Sequence, residues 1–170
     1  MGELDGPKSE RLQRFASAFK EAGFPVEFSH NVDAWMRYHV ALVGPLANAL
    51  YMAGSCNYRL ARNPHIIKKE LRGLREAIRV VQANGFPVEP AELKVMLVIP
   101  EFILAPLARR FINTELLDVG GARHARNARA EMKKLNEELF ALARNVGMET
   151  PAMEELHRYA DPNTPPAVAD

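Results

Sequence analysis

Apolar residues recur at intervals of three and four through most of this chain, and that period predicts helices. Between Ser9 and Ala22, Leu12, Phe15, Ala16 and Phe19 fall on one face, and Gly23 is placed to end the helix in a left-handed cap. Asp33 is placed to cap a second helix that runs to about Gly54. Apolar side chains cover nearly its whole circumference beyond His39, so this helix is expected to be buried on most sides. Gly44 and Pro45 stand in its middle. The proline lacks an amide hydrogen and crowds the carbonyl four residues back, which predicts a kink.

A third helix opens with Asn63 as cap and Pro64 in the first position, and carries Ile67, Leu71, Leu74, Ile78 and Val81 as its apolar stripe. Lys68, Lys69, Arg72 and Arg79 lie opposite, a pattern that reads first as a solvated basic face; Gly85 ends the helix. Pro90 starts a segment reaching about Asn113, which Pro100 and Pro106 are expected to divide, and Leu116 to Gly121 reads as a loop. Ala122 to Asn145 reads as one long amphipathic helix with Met132, Leu135, Leu139 and Leu142 on its core side. Thr150 and Pro151 begin a last short helix, to about Ala160. Only Val26, Glu27 and Phe28 alternate as a short strand would, and the proline-rich end, residues 161–170, reads as a disordered tail. The class this predicts is all-α.

Composition narrows the function. With 170 residues, the chain can bury a real core in one domain. A formal net charge of +1 points to neither nucleic acid nor an acidic membrane surface. A single cysteine, Cys56, excludes an internal disulfide and suits a reduced, cytoplasmic compartment. The first twenty residues are polar and charged, unlike a signal peptide, and the apolar runs Val40–Gly54 and Val95–Ala108 are too short to span a membrane. No glycine-rich nucleotide loop, HExxH, CxxC or GxSxG motif occurs.

Candidate chemistry therefore rests on polar residues scattered along helices. His124, Asn127 and Glu131 share one helix face, spaced by three and four residues. If that face meets the buried helix, Glu131 approaches Arg37 or His39 and can accept a hydrogen bond from a substrate hydroxyl; otherwise it is an exposed face, as the neighbouring Arg123, Arg126 and Arg129 suggest. Arg37 can clamp a carboxylate with two parallel hydrogen bonds, and His39 can donate a proton near neutral pH. Two positions apart, they point about 200° away from each other and do not serve one atom. Asn48 is a further polar group on the apolar rod that needs a partner or a task. No two histidines stand at the i, i+4 ligand spacing, so a metal is not expected.

Taken in order, Gly2-Glu-Leu-Asp-Gly6, Ala22-Gly23-Phe24, Trp35 at the start of the buried helix, the Gly85 to Pro90 turn, Ala130-Glu131-Met132 and the Gly147 to Pro151 turn resemble the C-terminal part of the ketopantoate reductases (2-dehydropantoate 2-reductases) of pantothenate biosynthesis. The resemblance implies that residues 1–32 are the end of an NADP-binding Rossmann domain. Residues 33–160 would be a helical domain like the C-terminal domain of 6-phosphogluconate dehydrogenase, one that binds substrate and dimerises. It implies an NADP(H)-dependent reduction of a small 2-keto acid in a cleft between the two domains. The cofactor would sit mainly on a Rossmann domain that this sequence lacks, with a Rossmann-domain subunit as the implied partner. By resemblance Glu131 matches the family's hydroxyl-binding glutamate, and Arg37 stands where the family has its general-acid lysine. Ala41 and Pro45 replace two asparagines, Arg123 an acidic residue and Val119 a serine. The scaffold is kept while most site chemistry differs, so a shifted substrate, a lost activity and a purely structural role stay open. The alternative is a non-enzymatic helical module that dimerises or binds a partner.

Overall fold

The computed structural model describes residues 1–3 and 9–168, and all regular structure among them is helical. Leu4, Asp5 and Gly6 of the first resemblance motif lie outside the described residues, as do Ala169 and Asp170. The helices are α1 (Glu10–Glu21), α2 (Val32–Met52), α3 (Asn57–Arg62), α4 (Pro64–Ala83), α5 (Lys94–Val98), α6 (Glu101–Ile112), α7 (Glu115–Leu117), α8 (Arg123–Asn127), α9 (Arg129–Asn145) and α10 (Pro151–His157).

Helix α2 is the axis of the fold, and α4, α9 and α10 pack around it. Its cap is Asn31, two residues before the expected Asp33: the Ala34 amide donates to Asn31 Oδ1 at 2.9 Å. Asp33 lies instead in the first turn and pairs with Arg37. The helix runs unbroken through Gly44 and Pro45, both buried. Gly44 allows α9 to come close: a Cβ there would lie 3.1 Å from Asn136 Oδ1 and 3.3 Å from Leu139 Cδ1. Gly73 of α4 does the same on another side, where a Cβ would lie 3.1 Å from Leu156 of α10 and 3.5 Å from Pro45. The Tyr38 hydroxyl donates to the Phe86 carbonyl at 2.9 Å. Tyr38 meets the far end of α4 and Pro45 meets its middle, so α2 and α4 run antiparallel.

Most expected boundaries hold. Ser9 caps α1, Asn63 caps α4, and the glycines at 23, 85 and 147 follow helices with φ of 84°, 88° and 63°. Five further expectations change. Val26–Phe28 forms no strand; it lies beside the chain start, where Met1 donates to the Glu27 carbonyl and accepts from the Ser29 amide. Pro106 does not end its helix; it is exposed, and the carbonyl it strands belongs to exposed Phe102, so water can satisfy it. The loop read at Leu116–Gly121 is helical, α7 followed by a π turn over Asp118–Ala122. The long helix read from Ala122 is broken at Ala128, with φ −113° and ψ 31°, between α8 and α9. The tail is seated as far as Val168: the Ala167 amide donates to the Met52 carbonyl at 2.9 Å and Val168 packs on the core.

The basic face of α4 is partly structural. Lys69 binds Glu155 on α10, and Arg72 makes two hydrogen bonds, 2.7 and 3.0 Å, to Glu101 at the start of α6. Glu76 accepts from the Ala152 and Met153 amides at 3.2 and 2.9 Å and so caps α10, whose Thr150 side chain makes no cap bond. Glu76→Ala is expected to cost about 1 kcal/mol of stability, read as a lower urea midpoint.

Candidate substrate groove and a buried carboxyl

Towards the N-terminal end of α2, helices α2 and α9 line a groove of ≈ 390 Å³ with Met36, Arg37, Val40, Leu135, Glu138, Leu139 and Leu142. Arg37 stands at its edge. Its guanidinium lies 4.1 Å from the centroid of the Phe86 ring, and its Nε is 3.2 Å from Asp33. Stacking fixes the planar head, while the pairing to a half-exposed carboxylate on the same helix is weak. The guanidinium is therefore placed and only loosely committed. His39 points elsewhere: its ring stacks on Trp35, centroids 5.2 Å apart and planes within 6°, on the exposed side of α2.

Glu131 is not in this groove. The two helices are antiparallel, with Arg129 4.0 Å over the Tyr51 ring, Asn136 beside Gly44 and Glu138 level with Arg37. Glu131 thus sits about two turns, roughly 10 Å, along the axis from Glu138. It is exposed, as are His124 and Asn127 on α8, and the groove holds none of the three. Arg123 and Arg126 pair with Asp118 at 2.8 and 3.9 Å. Arg129 instead turns inward, donating to the Tyr159 carbonyl at 3.1 Å. Burial pushes the Tyr51 hydroxyl up to about 12, against the opposing charge of Arg129, and it donates to the Ala125 carbonyl at 2.7 Å.

Asn48 has a structural partner. It donates to Asn136 Oδ1 at 3.0 Å, and Asn136 donates to the Met132 carbonyl at 2.7 Å. Both are fully buried where α2 crosses α9. This pair places Asn48 in the helix crossing, away from the groove.

A second cavity, ≈ 460 Å³, opens between α2, α4 and the α5–α6 pair. Among the described residues that line it, Glu70 is the only polar one. It is 6% exposed and has no hydrogen-bond or ion-pair partner among the described residues. Burial alone raises its carboxyl to about 7. The sequence holds a signal for it: position 70 lies three after Ile67 and four before Leu74, on the apolar stripe itself.

No group of three or more metal-ligating side chains occurs among the described residues, and no helix is long and apolar enough to cross a membrane. The chain matches no family model and no curated protein sequence.

Proposed function

We propose that this chain is the substrate-side helical domain of a ketopantoate-reductase-like oxidoreductase acting on a small 2-keto acid. The observation that carries this reading is Arg37, its planar head stacked on Phe86 at the edge of a groove of ≈ 390 Å³. A guanidinium fixed in this way offers a carboxylate two parallel hydrogen bonds. On the α9 wall the carboxylate facing the groove is Glu138, which takes the hydroxyl-binding role in place of Glu131. The described residues do not fit a dinucleotide: they contain no strand and no glycine-rich phosphate loop. NADP(H) belongs on a Rossmann unit outside them, and no step through the cofactor is assigned to this chain. Phe15, Phe19 and Phe24 of the N-terminal segment are open to solvent, an apolar face of the kind such a unit would cover.

Calorimetry with a panel of 2-keto acids, with and without a Rossmann-domain partner and NADPH, tests the reading. Binding is expected, and Arg37→Ala is expected to weaken it on the order of tenfold or more. Absence of binding in every combination would remove the enzymatic role. A second reading, a helical module that pairs with another copy of itself, is favoured by the exposed side chains of Val98 and Phe102, 76% and 75% accessible. Sedimentation showing a monomer at high concentration would argue against it.

A further inference from the structure

We propose that the cavity between α2, α4 and the α5–α6 pair is a binding site for a small apolar amine, whose cation pairs with Glu70. The site is independent of the Arg37 groove. Its lining comes from four helices: Leu42 and Leu46 of α2, Leu71 and Leu74 of α4, Met96 of α5 and Leu104 of α6 are representative. The volume of ≈ 460 Å³ is within the range of small-molecule pockets, and such pockets combine apolar walls with very few placed polar groups. Val95, Leu107 and Phe111 line the cavity and are themselves exposed, so it has an open side.

The walls are held, not loose. Arg75 reaches from α4 to donate to the carbonyls of Met96, at 2.8 Å, and Ile99. Arg72 grips Glu101 just beyond. These two arginines fasten the α5–α6 corner to α4, on which Glu70 also stands. The cavity's shape is thereby tied to the helix that carries its one polar group.

The occupant's chemistry follows from that group. An ionised carboxylate accepts hydrogen bonds and cannot donate them. Buried without a partner, it costs free energy that a cation with hydrogen-bond donors removes. An ammonium group supplies both the charge and three donors. An alcohol supplies one donor and no charge, and an anion is repelled. The remaining walls reward an aliphatic or aromatic body of modest size and offer no second polar anchor among their side chains.

The test compares hexylamine, hexanol and hexanoate at pH 8, by calorimetry and by the NMR shift of the Met96 methyl group, which lies in the cavity wall. Hexylamine is expected to bind roughly tenfold or more tightly than hexanol, with hexanoate weaker than both, and to move the Met96 signal. Glu70→Gln is expected to remove the preference for the amine over hexanol. Equal binding of amine and alcohol by the natural chain would overturn the proposal, leaving a plain apolar cavity. So would a preference for the amine over hexanol that survives Glu70→Gln, or amine binding that leaves Met96 unmoved, since the exposed apolar surface would then be the site. Tighter binding of hexanoate, or no binding of any probe, would overturn it as well.

Discussion

Replacing Glu70 by glutamine is expected to make the protein more stable at pH 8 by about 3 kcal/mol and to change little at pH 4. The carboxyl titrates at about 7 in the folded chain against an ordinary value of 4.5, with burial as the cause. The folded state therefore holds the proton more tightly than the unfolded state does. Below pH 4.5 both states are protonated and the folded state bears no penalty. As pH rises from 4.5 towards 7 the unfolded chain releases its proton first, and stability falls; above 7 the loss is complete. Glutamine has nearly the same shape and no proton to lose, so the variant should lack this part of the slope. Urea midpoints of both proteins at pH 4, 6 and 8 measure the effect. A gap that is equal at all three values would show that Glu70 is not a buried, isolated carboxyl.

The second large effect is expected at the crossing of α2 and α9. Leu139 is 2% exposed and packs where Gly44 lacks a side chain. Leu139→Ala leaves a cavity between the two helices and is expected to cost about 2–5 kcal/mol. Gly44→Ala in the natural background pushes a methyl group to 3.3 Å from Leu139 Cδ1 and 3.1 Å from Asn136 Oδ1, so it should also destabilise. In the Leu139→Ala background the same methyl has half of its obstruction removed. The double variant should be more stable than the sum of the single losses predicts, a coupling read from a double-mutant cycle in urea. Additive losses would mean that the helices do not meet at these two positions.

The same crossing bears on the groove. Leu139 lines the Arg37 groove from the α9 side, so loosening it should blur any ligand preference there as well as lower stability. The buried Asn48–Asn136 pair joins the two helices at this crossing. Register is what separates Glu131 from Glu138. Moving α9 by two turns would exchange them, and helix spacing within one segment contains no information about that choice.

Local patterning carried much of the fold. The stripe on α4, the Asn63–Pro64 start, the glycine stops and the buried α2 are all consequences of side-chain period, capping chemistry and the steric freedom of glycine, each confined to one segment. All-helical class was legible for the same reason. The exceptions are places where an apolar period is overruled by what lies across from it. Phe15 and Phe19 follow the period of Leu12 and Ala16, yet they remain open because no element packs over them among the described residues. Arg129 follows a run of exposed arginines, yet it turns inward because Tyr51 offers a ring and Tyr159 a carbonyl.

By itself the sequence determined the helical class, the limits of α1 and α4, the apolar stripe of α4, and that α2 is surrounded, since those properties depend on neighbours within about a turn. Only the tertiary structure decided that Asn48 meets Asn136, that Arg37 faces Glu138 while His39 faces outward, and that Glu70 lies alone in an apolar wall. Each of these depends on the register and crossing of two or more helices. That register is set by summed packing over many residues, of which any single polar side chain is a small part.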